Sequence, residues 1–501
     1  MTESAAPVLL WFRRELRLRD NPALLAAIAT GRRVLPVFVL DEASPGMWKP
    51  GGASRWWLHH SLASLQADLA ALGATLALRR GRYETEIPRL MAETGAAELH
   101  AGMPTEPWSR LAYAAVKQTL GERMHVHLTT LLFPPGSVRT KTGGAYGVYG
   151  PFARACLARG LPAEPALAPA ALDAAPPPAS DRLEDWSLLP TKPDWAGGLR
   201  ALWKPGEAGA HTRLHDFLRA AVQKYATARN MPGVEGTSML SPHLAWGEIS
   251  PAEVWHAANQ ADVDTDKFVG EVLWREFAAN LLWHHERLPE APLRAQFAKM
   301  PHRDDPAGLH AWQRGQTGIP VVDAGMRQLW QTGWMHNRVR MITASFLVKH
   351  LLISWQQGEA FFWDTLVDSD LAQNSVSWQW IAGCGADAAP FFRVFNPVLQ
   401  GQKFDPQGNY VRRYVPELAR LPDRHLHAPW EAPASVLTRA GVVLGRDYPH
   451  PVIDLAAGRQ RALAAFSALA KAAPPSGQPT PALAAPTLAA PTLAAPTLAA
   501  R

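Results

Sequence analysis

Residues 330–355, WQTGWMHNRVRMITASFLVKHLLISW, and residues 356–380, QQGEAFFWDTLVDSDLAQNSVSWQW, decide how this chain is read. They concentrate charge, amide and indole groups in what the pattern predicts to be two helical segments. Gly333 reads as a breaker, after which Asn337, Arg340 and Met341 fall at i, i+3 and i+4 and share one helix face. Asp370, Asn374 and Trp378 recur at i, i+4 and i+8, which sets a carboxylate, an amide and an indole along one slowly drifting stripe. A helix-packing seam accounts for indoles alone. Buried carboxylates and amides are costly without partners, so a polar and aromatic face between apolar helices points to a planar polar ligand.

The rest of the chain is organised around that stretch. Its 501 residues suffice for two or three domains with their own cores. With 47% hydrophobic residues and no uncharged apolar run long enough for a membrane span, it reads as a globular protein without a membrane partner. In the N-terminal MTESAAPVLLWFRRELRLRD the charges follow the apolar run, the reverse of a secretory signal, so a cytoplasmic location is expected. The two cysteines, Cys156 and Cys384, lie in no CxxC or metal-like spacing and read as packing residues; no metal site is predicted. A net charge of +6 is compatible with a polyanion partner.

From Val8 to about His127, apolar strands alternate with amphipathic helices, which predicts a doubly wound parallel α/β domain over residues 1–130. Such sheets bind ligands beyond the carboxyl ends of their strands, here the loops after Phe12 and Leu40. Residues 131–205, centred on PAEPALAPAALDAAPPPASD, read as an interdomain connector over the surface. Residues 206–472 show few strand signals and predict a larger all-α domain. Residues 473–501 carry a TLAAP repeat too poor in charge and bulk to fold, and are expected to be disordered.

Two nucleotide signatures fail. Gly383, Gly385 and Ala388 spell GxGxxA but follow a helical pattern rather than a strand, and no Walker A sequence occurs. Gly236, Thr237, Ser238 and Ser241 instead offer hydroxyls and backbone amides in a turn before a helix, either an ordinary cap or an anion site.

TGWMHNRVRM, DSDLAQNSVSWQW and DAAPFFRVFNP, with WREF at 274–277 and GTSMLSP at 236–242, resemble the flavin domain of the photolyase and cryptochrome family. The resemblance covers nearly all of residues 1–470 and is strongest to bacterial class I cyclobutane pyrimidine dimer photolyases. It implies FAD held by Tyr225, by Thr237, Ser238, Met239, Leu240 and Ser241, and by Phe268, Arg340, Asp368, Ser369, Asp370 and Asn374, with Arg340 pairing Asp368. It also implies a light-harvesting antenna in the N-terminal domain, commonly methenyltetrahydrofolate or a deazaflavin. Glu106 is the candidate residue for it, although Thr105 stands where many folate-binding relatives carry asparagine.

On the DNA side, Glu271, Trp274 and Arg275 fall at i, i+3 and i+4, joined by Asn337, Arg338, Met341 and Trp380 and more peripherally by Arg229, Gln400 and Lys403. Aromatic faces stack on an extruded base, carboxylate and amide groups bond its edge, and arginines meet phosphates. The plainer alternative is an amphipathic helix with solvated Glu and Arg and a core Trp. The implied activity is light-driven repair of pyrimidine dimers in DNA by a monomer, with a cryptochrome-type blue-light photoreceptor as the alternative. Asn374 matches the position facing flavin N5, where an amide can hydrogen-bond without protonating the ring. MHNRVRM matches the dimer-repair version of the substrate stretch.

Trp378 and Trp355 match the proximal and middle members of the family's electron-transfer tryptophans, but His302 occupies the distal position. A truncated relay is therefore the favoured expectation, with a substitute indole such as Trp312 or Trp330 as the other outcome.

Overall fold

A computed structural model describes residues 6–160, 162–388 and 393–472. Strands β1 (Val8–Phe12), β2 (Val34–Leu40), β3 (Ala77–Arg80), β4 (Glu98–Gly102) and β5 (Met124–His127) form one parallel sheet in the order β3-β2-β1-β4-β5. VLLWF and VLPVFVL are buried throughout, because helices cover both faces of a parallel sheet. Helices α1 (Pro22–Ala29) and α2 (Gly52–Ala71) pack Leu24, Trp56 and Trp57 against Val8, Leu10 and Phe12. Helices α3 (Tyr83–Thr94) and α4 (Pro107–Leu120) pack Ile87, Leu90 and Val116 against Leu9, Trp11 and Val37.

The connector is less superficial than its composition suggests. Helix α5 (Tyr149–Leu157) buries Phe152 and Cys156 beside Phe277, Ala174 bridges Val34 on β2, and Leu183, Trp186 and Trp203 join the core beneath α2. Proline and alanine keep this backbone extended, while its spaced leucines and tryptophans anchor it.

Beyond residue 205 the described chain is helical. The stretch expected to form two helices forms three, Asn337–Ser345, Trp355–Thr365 and Leu371–Ala382, with a π-turn at Phe346–His350 after the first. Gly333 ends the preceding helix, Pro320–Thr332, in the left-handed conformation at φ +66°, as a breaker should. The 473–501 tail, and the centre of DAAPFFRVFNP at 389–392, lie outside the described residues.

The two domains meet across a polar seam. Arg14 lies 4.3 Å over the Trp246 ring, Arg17 Nη1 donates to Gly247 O at 3.0 Å, and Trp57 Nε1 donates to Glu248 Oε1 at 2.9 Å. Gly247 is obligatory here, since its φ is +63° and a Cβ would fall 1.9 Å from Arg14 O.

Candidate flavin and DNA site

Asp368 is the hub. Its Oδ2 accepts from Ser241 Oγ at 2.6 Å and from Arg340 Nη2 at 2.7 Å, while Arg340 Nε donates to Met335 O at 2.7 Å. Trp334, which sequence reasoning did not single out, donates from Nε1 to Ser241 Oγ at 3.2 Å. Asp368 Oδ1 is buried and has no hydrogen-bond partner among the described residues. A buried carboxylate oxygen left unpaired is costly, so a ligand hydroxyl or ring N–H belongs there; this is the observation by which the residues present fit a flavin nucleotide. Ser369 turns away and donates to the carbonyls of Trp363 and Leu366, both at 2.9 Å.

The 237–241 turn leads into a short helix, with half-buried Thr237 and Ser238, buried Leu240, and Met239 strained at φ +51°. Nearby, Phe268 packs against Tyr225 at 5.5 Å and Phe217 at 4.7 Å, an aromatic wall at the start of the helix Asp266–His284. Asp370 departs from its expected stripe. It caps the 371–382 helix, accepting from Gln373 N at 2.9 Å, so its carboxylate is committed to the helix end.

Asn374 is buried and donates from Nδ2 to Glu359 O at 3.0 Å. The Glu359 carboxyl, invisible to sequence reasoning, accepts from Ser375 Oγ at 2.5 Å and has its other oxygen unpartnered among the described residues. Burial pushes its pKa well above the ordinary range.

Trp378 lies 5.0 Å from Phe362 and 6.3 Å from Trp312. Trp312 is fully buried rather than superficial, and Phe361 at 5.5 Å connects it to Trp330, stacked parallel on Phe361 at 6.5 Å and 63% exposed. Trp355 is buried in the same cluster, and His302 is exposed.

Half-buried Trp274 lies flat on Tyr149 at 3.8 Å with planes 6° apart and meets Phe277 edge-on at 5.7 Å. Glu271 pairs with Arg229 at 2.6 Å, and Arg338 donates to Asn230 Oδ1 at 2.6 Å while covering the Phe404 ring at 4.4 Å. Lys403 lies 5.2 Å from the same ring, and Met341 sulfur 3.7 Å from Arg338 Nη1. Asn337 is exposed, Gln400 half-buried, and Trp380 Nε1 donates to Asp387 O at 3.1 Å.

Arg275 shares a helix with Trp274, and its guanidinium donates to Thr130 O and, at 3.1 Å, to Leu244 O, so its long arm ties backbone across the domain seam.

His336, also missed, accepts at Nδ1 from Arg338 N at 3.2 Å, and its buried Nε2 is unpartnered among the described residues. Burial, then Arg338, Arg340 and Arg229, push its pKa down to about 4, leaving a neutral ring with one spare donor.

At the carboxyl edge of the sheet, where strand order reverses between β1 and β4, Arg13 Nη1 donates to Glu106 Oε2 at 2.8 Å and Ser109 Oγ to the same oxygen at 3.1 Å. Burial works to raise the Glu106 carboxyl, but Arg13 and Arg14 overcome it and hold it at about 2. Trp11 stacks on Tyr113 at 4.7 Å, and its indole N–H is buried and unpartnered among the described residues. Glu106 and Asp370 line one interdomain cleft, together with Arg14, Thr105 and Gln373.

A doubly wound sheet docked on a helical domain with such a hub defines a two-domain protein built to hold a nucleotide cofactor. The chain belongs to the DNA photolyase family: residues 8–172 match the family's DNA photolyase domain and residues 268–468 the FAD binding domain of DNA photolyase. It is 48% identical to the deoxyribodipyrimidine photo-lyase of Agrobacterium fabrum over 94% of this chain and 100% of that one. The crystal structure of a bacterial class III photolyase from Agrobacterium tumefaciens superposes with a TM-score of 0.91 at 48% identity, covering 94% of this chain and 99% of that one. Cryptochrome-1 of Arabidopsis thaliana is 35% identical over 92% of this chain and 70% of its own length.

The expected affinity to class I is thereby corrected towards class III. The motifs behind that expectation line cofactor and substrate surfaces, which different branches need alike. No helix among the described residues is long and apolar enough to cross a membrane.

Proposed function

We propose that this chain is a deoxyribodipyrimidine photo-lyase of the class III type, repairing cyclobutane pyrimidine dimers in DNA by light-driven electron transfer. FAD, when bound in its reduced anionic form, supplies the electron that opens the cyclobutane ring and receives it back. Ser241, Asp368 and Arg340 hold that cofactor, with the spare Asp368 oxygen as acceptor for one of its polar hydrogens. The Trp274 ring takes the extruded dimer, Glu271, Asn337, Met341 and Trp380 border it, and Arg229, Arg338 and Lys403 supply positive charge for the backbone.

The observation that carries repair over signalling is the amide at Asn374, oriented by one N–H donated to Glu359 O, which offers no acid proton to a flavin. The Trp378, Trp312, Phe361, Trp330 series favours a substitute relay over a truncated one, since it runs from the buried site to solvent in near contact. The cleft lined by Glu106, beside its pair with Arg13, is the antenna candidate for a folate or deazaflavin.

The test illuminates the purified, reduced, FAD-loaded protein with dimer-containing DNA and follows the loss of dimers. Absence of repair with FAD bound would favour the photoreceptor reading, which the similarity to Cryptochrome-1 keeps as second.

A further inference from the structure

We propose that Glu98, His100 and His125 form a binding site for a divalent transition-metal ion of the zinc class, on the edge of the N-terminal sheet and apart from the cofactor and DNA surfaces. His100 on β4 is the register partner of His125 on β5. Side chains alternate along a strand, so Glu98, two residues before His100, and His127, two residues after His125, share their face. Leu99, Ala101, Met124 and Val126 take the other face and its core.

The donor atoms are already gathered. Glu98 Oε2 lies 3.3 Å from His125 Nε2 and 3.5 Å from His100 Nε2, and all three ligand atoms fall within 4.8 Å of one another. Around a tetrahedral zinc, with bonds of about 2.0–2.2 Å, ligand atoms stand about 3.4 Å apart. Two edges of the coordination polyhedron are therefore at length, and rotation of the half-exposed His125 ring closes the third.

An ordinary carboxylate–imidazolium pair accounts for the cluster poorly. His100 is 4% exposed, and its Nε2 makes no hydrogen bond among the described residues. The three imidazoles also stack, His100 on His125 at 4.9 Å and on His127 at 5.2 Å.

His100 Nδ1 lies 3.0 Å from His127 Nε2. When His100 Nδ1 carries the proton and donates it there, Nε2 presents its lone pair, as a metal-bound histidine oriented by an outer partner does. Two imidazoles and a carboxylate suit zinc and its late first-row neighbours. Glu98 and His125, both partly exposed, leave an entry path and room for a water as fourth ligand. The ion would staple β5, a four-residue edge strand, to β4.

The experiment uses the untagged full chain with FAD bound, freed of metal by chelation and titrated with zinc chloride in a calorimeter. One ion per chain is expected, with a rise in melting temperature. His125→Ala and Glu98→Gln, both at accessible side chains, are each expected to weaken binding by at least about tenfold while retaining FAD and the circular dichroism of the parent. Cobalt should give the intense visible bands of a tetrahedral site in the parent alone. Absence of zinc binding, or equal binding by the parent and both variants, would overturn the assignment.

Discussion

Gly358→Ala offers a sharp test of how the buried indole beside the flavin site is held. Gly358 lies inside the 355–365 helix, where alanine is ordinarily preferred by about 1 kcal/mol. Here its Cβ would fall 2.1 Å from Trp378 Cη2, 2.5 Å from Cζ3 and 2.7 Å from Leu347 Cδ2. Carbon atoms rest about 3.5–4.0 Å apart, so the indole would have to retreat by about 1.4 Å. Phe362 at 5.0 Å and Trp312 at 6.3 Å stand against that movement. Overpacking costs about 1–3 kcal/mol, and a confined ring belongs at the upper end, so the net loss after the helix gain is about 1–2 kcal/mol. Thermal unfolding followed by circular dichroism should show a melting temperature several degrees lower. Photoreduction of bound FAD under blue light should slow because Trp378 is displaced, while repair by chemically prereduced enzyme persists. A variant as stable as the parent, with unaltered photoreduction, would refute the view that Trp378 is clamped.

Asn374→Asp, whose new carboxyl faces Glu359 O in a buried site, should retain FAD but make light-induced reduction take up a proton, read from the visible spectrum; an unchanged spectrum would show that residue 374 does not govern flavin protonation. Trp330→Phe should lower the photoreduction yield and spare repair by prereduced enzyme, whereas a gain in His302→Trp with no effect in Trp330→Phe would restore the truncated relay. Trp274→Ala should weaken dimer-containing DNA roughly ten- to a hundredfold, from a lost stack of about 1–3 kcal/mol, and undamaged DNA much less; equal losses would mean that Trp274 only packs on Tyr149. Glu276, buried while accepting from Leu132 N and Phe133 N, has its carboxyl pushed up to about 7 by that burial. The folded state then holds a proton that the unfolded chain gives up lower, so stability should fall as pH rises from about 4.5 towards 7, and Glu276→Gln should flatten that fall in melting temperature.

The sheet was legible because β1 and β2 are apolar on both faces and the strands are punctuated by amphipathic helices, a pattern that follows from local geometry alone. Gly333 was legible for the same reason. Asp370 was half legible: the i, i+4, i+8 spacing holds, but whether its carboxylate joins the stripe or caps the helix depends on a single bond to Gln373 N. The partners of Arg275, Thr130 and Leu244, are distant in sequence, and nothing in its helical spacing discloses them. Proline and alanine counts described the connector's backbone but not Trp186 and Trp203, whose burial attaches it to the sheet. Glu359, pushed up, and His336, pushed down to about 4, owe their shifts to burial, which no local pattern encodes.

The seam that Arg275 closes has an optical consequence. Its guanidinium binds Thr130 O and Leu244 O, and its own carbonyl accepts from Gln373 Nε2 at 2.9 Å, on the cleft wall shared by Glu106 and Asp370. Excitation passed between two dyes falls steeply with their separation and depends on the angle between their transition dipoles. A light harvester seated at the Arg13–Glu106 pocket would thus be aligned to the flavin by folding itself.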